Sequence, residues 1–371
     1  MSKEPITIMQ LTHNMDVGGA EVMIRHLVEG LEPGKYVSSV ACIDGEPGAI
    51  GQSMREEGRS VLALGRGTGF DRALISAIRR ILNAQQIDIL HCHQYTPYCY
   101  GVLAAIGTRA RVIFTEHGRF YPDRFTWKRR LINQLLGRIT PVVTTISAAT
   151  RDALVTYEWF AQRKIQVIYN GVRPLAPVKG GLQVRHRLGI SDSAFVLGTL
   201  SRLDPIKNQR LMLKALHRIR ETVPRAVLLL AGDGPEREAL ETLTAELGLQ
   251  DRVVFAGFVS DIADHLDAMN VFLLTSFSEG TSMTLLEAMC LAKPIIATRV
   301  GGNVEVIDNQ KTGVLIDSDD TDALVVAVER LASDSRWGQQ LGEQARQAFH
   351  AQFSLHHMVS NYEQLYASLG D

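Results

Sequence analysis

"VFLLTSFSEGTSMTLLEAM" (residues 271–289) holds a change of hydrophobic period within nineteen residues. Its first four residues are a short apolar run, as in a strand buried on both faces. Ser276 to Ser282 form a polar turn around Gly280, and "MTLLEAM" then reads as a helix starting near Thr281 or Ser282. Strand, glycine turn and helix in succession are the repeating unit of a parallel α/β sheet. The first N–H groups of such a helix lack intrahelical partners and sit at the positive end of its dipole. The turn is therefore an anion site suited to a diphosphate, with Gly280, Thr281, Ser282, Met283 and Thr284 around it. Glu279 precedes the helix and Glu287 lies six residues beyond Thr281, roughly 9 Å along the axis. A carboxylate is a strong acceptor for paired hydroxyls, so each acid suits a hydroxyl-bearing group flanking the phosphates. A helix-capping acid and a solvated face are the plainer alternative for this spacing alone.

The same unit recurs along the chain. "ITIMQL", "VSSVACI", "IDILHCH", "RVIFTEHG", "PVVTTIS" and "IQVIYNGV" read as strands of a first half, interleaved with amphipathic helices such as "RALISAIRRILNAQQ". "FVLGTL", "AVLLLAGDG", "VVFAGF", "VFLLTS", "PIIATRVGG" and "TGVLID" form a second series. Between them "RPLAPVKGGLQVRHRLG" carries prolines, paired glycines and no apolar periodicity. The expected organisation is a domain over 1–173, a linker over 174–190, a second domain over 191–350 and a helix over 351–371 that returns to the first domain. At 371 residues the chain exceeds what one core usually supports, which agrees with two doubly wound domains facing a cleft. Ligands of such sheets lie beyond the carboxyl ends of the strands.

A net charge of −1 gives no global attraction to nucleic acid, which is not expected as a partner. The N-terminus has no signal-peptide pattern and no apolar run approaches a membrane span. Cys42, Cys92, Cys99 and Cys290 show no framework spacing, so free thiols and a cytoplasmic location are expected. Zinc at "HCHQYTPYC" is disfavoured, because Cys92 points to the opposite strand face from His91 and His93. The acidic "IDSDD" reads as a helix start, and no metal site is expected.

Two cations, Arg202 and Lys207, fall in the loop "SRLDPIKN" after the first strand of the second half, beside Ser201. With "AGDGPERE", "SEGTSMTLLEAMCLAKPIIAT" and "VGGNVEVI" in this order, the second half resembles the donor domain of the retaining GT-B glycosyltransferases of family 4 (glycosyl transferases group 1). The first half is similar through "DVGGAE", "ILHCH", "TEHG" and "NGV". The resemblance implies a hexose or hexosamine transferase that uses a UDP- or GDP-linked donor, with no cofactor and no divalent metal. Arg202 and Lys207 are then expected on the donor diphosphate, Glu279 on the sugar hydroxyls and Glu287 on the ribose. His117 is expected at the donor sugar, and Gly18 and Gly19 near the reacting groups. Asp16 and His93 are expected on the acceptor side. The acceptor is a glycan, a small molecule or a lipid-linked group of polysaccharide biosynthesis. A GT-B nucleotide-sugar 2-epimerase and a non-catalytic nucleotide-sugar-binding subunit are the competing readings.

One further segment stands out. Over 119–139, Arg119, Arg124, Lys128, Arg129, Arg130 and Arg138 oppose only Asp123. Phe120, Tyr121, Phe125 and Trp127 are interleaved, and Leu131, Leu135 and Leu136 recur at helical spacing. That composition suits an anionic surface such as the inner face of the plasma membrane, or equally a helix with its leucines in the core.

Overall fold

The computed structural model describes residues 4–118 and 127–370. Arg119, Phe120, Tyr121, Asp123, Arg124, Phe125 and the Lys128 side chain lie outside the described residues. The chain forms two compact units: residues 1–171 with 355–371, and residues 172–354.

The first unit is built on strands β1 (Ile6–Thr12), β2 (Tyr36–Cys42), β3 (Val61–Ala63), β4 (Ile89–His93), β5 (Arg111–Glu116), β6 (Val142–Thr145) and β7 (Ile165–Val167). They form one parallel sheet in the order β3-β2-β1-β4-β5-β6-β7. Strand order reverses between β1 and β4, so the loops after these two strands open a crevice at that switch point. Strand alternation divides the core. Met9, Leu11, Leu90, Cys92 and Phe114 pack on one face, and Ile8, Ile89 and Ile113 on the other. The helix Leu355–Gly370 covers the second face with Met358, Tyr362, Leu365 and Tyr366.

The second unit carries β8 (Phe195–Leu200), β9 (Ala226–Ala231), β10 (Val253–Gly257), β11 (Val271–Leu274), β12 (Ile295–Thr298) and β13 (Val314–Ile316). Its parallel order is β10-β9-β8-β11-β12-β13, with the switch point between β8 and β11. Leu197, Leu211, Leu228, Val271, Ile296, Leu324 and Leu341 belong to its core. The two sheets with flanking helices are the GT-B arrangement of two Rossmann-like domains.

The expected linker over 174–190 is folded into the second unit. The Asp264 carboxylate accepts bonds of 2.8, 3.0 and 2.9 Å from the N–H groups of Val178, Lys179 and Gly180. A helix then runs over Gly181–Arg187, and the buried Arg185 donates to the Ala268 carbonyl. These tertiary partners replace the missing periodicity, which is why the segment reads as loop in sequence. Residues 351–354 also belong to the second unit, so the returning helix starts at Leu355.

Candidate active site

The second unit places its charged residues at the switch point. Arg202 and Lys207 lie in the loop after β8, and Glu279 in the loop after β11. Asp204 caps a 3-10 turn over Pro205–Lys207 by accepting from the Ile206 N–H at 3.1 Å. Asn208 follows in the left-handed region (φ 48°). The Thr275 hydroxyl at the end of β11 donates to the carbonyls of Lys207 (3.1 Å) and Asn208 (3.0 Å). The Phe277 N–H donates to the Ile206 carbonyl at 2.8 Å. The loops are thus stitched together before any ligand binds.

Lys207 Nζ donates to Glu279 Oε1 at 2.6 Å, and Ser276 Oγ donates to the same oxygen at 2.5 Å. The Glu279 side chain is only 8% exposed. Sequence reasoning gave the two residues separate duties; the structure joins them in one ion pair. Arg202 is exposed. Ser201 Oγ accepts from Gln209 Nε2 at 3.1 Å, so it holds the loop from behind.

The glycine turns of "AGDG" and "VGG" serve these loops. A Cβ on Gly232 (φ 141°) would strike the Ser201 carbonyl, and one on Gly301 (φ 48°) would strike the Glu279 carbonyl. The Gly302 N–H donates to that Glu279 carbonyl at 3.1 Å. Glycine is required because backbone passes against backbone there.

The helix predicted from "TSMTLLEAM" runs over Met283–Cys290 with Ser282 as its cap, and Ser282 Oγ accepts from the Leu285 N–H. Ser282 and Thr284 share a hydroxyl bond of 3.1 Å, Thr281 is buried, and Met283 is half-buried. Gly280 is half-buried in the turn before them. Glu287 is buried on this helix with Oε2 lacking any protein partner. Burial pushes its carboxyl up to about 7. A buried acceptor without a donor is costly, and a bound ligand hydroxyl would supply one.

In the first unit the loop after β1 leads into the helix Gly19–Gly30. Gly18 is extended there, and a side chain on it would strike the Glu21 carboxylate. Asp16 is exposed and its carboxylate accepts from the Val17 N–H at 3.0 Å. His117 follows β5 and is half-buried. Its Nδ1 is closed to solvent with no partner, and burial pushes the imidazole down to about 3. It is neutral at physiological pH.

His93 corrects an expectation. It has no exposed surface, and Gln10 and His117 occupy its two ring nitrogens at 2.8 and 2.9 Å. It therefore stands behind His117 and cannot face an acceptor. Gln10, Thr115 and Tyr366 form the rest of this buried cluster, and sequence reasoning missed them. The available signal was a polar residue at every second position: Gln10 on β1, His91 and His93 on β4, Thr115 on β5. Cys92 packs in the core of the opposite face. Among the described residues no three His, Cys, Asp or Glu side chains are grouped to hold a metal ion.

Comparison with known proteins gives the family. Residues 183–348 match the family model described as glycosyl transferases group 1, and residues 17–174 that of glycosyltransferase family 4. The N-acetyl-alpha-D-glucosaminyl L-malate synthase of Bacillus anthracis is 32% identical over 308 residues, covering 80% of this chain and 79% of that one. An Escherichia coli UDP-Gal:alpha-D-GlcNAc-diphosphoundecaprenol alpha-1,3-galactosyltransferase is 28% identical, covering 71% and 70%. A crystal structure of an Anabaena protein in complex with UDP superposes with a TM-score of 0.87 at 22% identity, covering 98% of this chain and 100% of the other. Through both halves and at this similarity, the chain belongs to the group 1, family 4 glycosyltransferases.

Proposed function

We propose that this protein transfers a hexose or hexosamine, with retention of anomeric configuration, from a nucleoside-diphosphate sugar to an acceptor hydroxyl. The observation that supports the reading is the switch point of the second sheet, whose loops carry the Lys207–Glu279 pair and Arg202 and lead into a capped helix with the unpartnered Glu287 Oε2. Arg202, Lys207 and the N–H groups of the helix start meet the charge that grows on the β-phosphate as the glycosidic bond breaks. Glu287 accepts from the ribose, and Glu279 from the sugar. The acceptor oxygen bonds to the anomeric carbon on the face the phosphate leaves, and its proton passes to a phosphate oxygen. This chemistry uses no cofactor and no divalent metal. The UDP in the Anabaena complex and the UDP-Gal of the E. coli relative favour a UDP-linked donor.

The test is a panel of UDP- and GDP-linked sugars offered to EDTA-dialysed protein, with binding read by calorimetry and the product anomer by NMR. Retained configuration without added metal is the expected result. Activity restored only by magnesium or manganese would refute the metal-free mechanism. An epimerised donor in the absence of any acceptor would install the epimerase reading instead.

A lipid-linked acceptor at an anionic membrane surface is favoured by the helix Trp127–Ile139. Its inward side is polar: Arg129 and Asn133 bond to the buried Glu158 at 2.8 and 2.9 Å, and Tyr95 donates to Asn133 at 2.7 Å. Its outward side is apolar, with Leu131 59% and Leu135 64% exposed alongside Trp127, Ile132 and Ile139. Arg130 and Arg138 are exposed on the same helix. Exposed apolar surface bordered by cations suits a peripheral helix on an anionic bilayer, at the inner face of the plasma membrane.

A further inference from the structure

On the face of the first sheet covered by the C-terminal helix, four buried groups are joined in a chain that ends at the half-buried His117. Tyr366 Oη lies 2.7 Å from His91 Nδ1 and 3.3 Å from Gln10 Nε2. Gln10 Oε1 lies 2.8 Å from His93 Nε2, and His93 Nδ1 lies 2.9 Å from His117 Nε2. Tyr366, His91, His93 and Gln10 have no exposed surface. Burial holds His91 and His93 well below the usual histidine range, so each is neutral with one donor and one acceptor nitrogen.

A chain of neutral groups has a direction, and Gln10 sets it, with Nε2 toward Tyr366 Oη and Oε1 toward His93 Nε2. Tyr366 Oη accepts from Gln10 Nε2, so its own O–H goes to His91 Nδ1 at 2.7 Å, and His91 Nε2 donates to Thr115 Oγ1 at 2.6 Å. With its O–H directed to His91, Tyr366 has only lone pairs left for the Gln10 amide N–H. Gln10 must present its carbonyl oxygen to His93, which donates from Nε2. His93 Nδ1 is left as an acceptor and takes the N–H of His117 Nε2. His117 therefore carries its proton on Nε2, and Nδ1, the one ring atom the network does not use, is a lone pair without a partner.

We propose that Tyr366, Gln10 and His93 are positioning residues that lock His117 in the Nε2–H tautomer, so that it receives a hydrogen bond from a hydroxyl of the bound sugar and does not donate one. The inference rests on the glycosyltransferase reading for the hydroxyl only; the tautomer belongs to the protein alone.

The experiment is 15N NMR of histidine-labelled full-length protein, with the His117 resonances identified by a His117→Gln variant. The wild type should show His117 protonated at Nε2 and bare at Nδ1. Tyr366→Phe removes the hydroxyl that orients Gln10, so the two His117 tautomers should mix. Turnover with a sugar-bearing donor should drop roughly tenfold, the worth of one misplaced hydrogen bond, while UDP binding stays unchanged. Tyr362→Phe is the control. It deletes a buried hydroxyl from the same helix that meets Thr115 at 3.5 Å, on the side of His91 away from Gln10, and should leave tautomer and turnover as they are. A wild-type Nδ1–H tautomer, or an unmixed tautomer in Tyr366→Phe, overturns the proposal. Equal loss of turnover in both tyrosine variants makes the tyrosines merely structural and overturns it too. Failure of UDP to bind the wild type would instead sink the donor reading and leave the tautomer result standing.

Discussion

Glu287 and the Lys207–Glu279 pair put two different costs into the second unit. The Glu287 carboxyl moves from an ordinary 4.5 up to about 7 on folding, so the folded state holds a proton the unfolded chain releases. Stability conferred by that proton is complete below pH 4.5 and is lost as the pH rises to about 7, an effect of up to about 3 kcal/mol. Denaturant titration across this range should show the decline, and Glu287→Gln should flatten it. A variant with the wild-type slope would remove Glu287 as its source. Glu287→Ala should also weaken UDP itself, whereas Glu279→Ala should mainly impair the sugar-bearing donor. Arg202→Ala and Lys207→Ala should lower turnover by about 10² to 10³ if, as proposed, they meet charge that grows in the transition state. Wild-type turnover in both would reject that role. The loop positions of both cations, Glu279 and His117 and the helical position of Glu287 were legible from the sequence, because strand-to-helix loops advertise their polar residues. The pairing of Lys207 with Glu279 was not, since the residues stand in loops separated by three intervening strand-and-helix turns. His93 was misjudged for a related reason: sequence shows the alternating face of a strand, but not whether a helix from the far end of the chain covers it.

The helix Trp127–Ile139 turns the usual amphipathic arrangement inside out, with ionic anchoring below and leucines above. Leu136 packs in the core as a conventional helix leucine, but Leu131 and Leu135 do not. Spacing alone could not separate these cases, because helical periodicity defines a stripe without saying which way it faces. Anionic vesicles decide the matter. The wild type should bind them at low salt and release them toward 1 M, where the Debye length falls to about 3 Å. Leu131→Glu with Leu135→Glu should abolish binding and leave donor hydrolysis in solution intact. A wild type that ignores anionic vesicles at low salt would return the helix to the role of a soluble surface. The anchor has its own signature: Glu158→Ala removes the carboxylate that Arg129 and Asn133 share and should cost about 2 kcal/mol of stability. Strands were the most legible elements, since runs buried on both faces need continuous apolar residues. β3, with three residues, is too short to announce itself.

Two compact units of similar extent should unfold as two cooperative transitions. UDP at 100 times its dissociation constant should stabilise the second unit by about 2.7 kcal/mol and leave the other transition in place. Movement of both transitions together would show that the units unfold as one. The division into two was legible in the linker composition, but its edges were blurred, because Asp264 organises backbone that has no pattern of its own. The first unit is also discontinuous: the helix that completes it comes from residues 355–371. This fixes an order of events during synthesis. When the ribosome has made every strand of the first sheet, the face bearing Ile8, Ile89, Ile113 and Gln10 still awaits Tyr362 and Tyr366, which are translated after the whole second unit. The second unit has all its residues earlier than the first has its own. A nascent chain stalled with residue 354 just outside the exit tunnel should therefore resist protease over 172–354 and be cut within 1–171, and extension by the remaining residues should close the sites. The N-terminal half of this enzyme matures after the half that follows it.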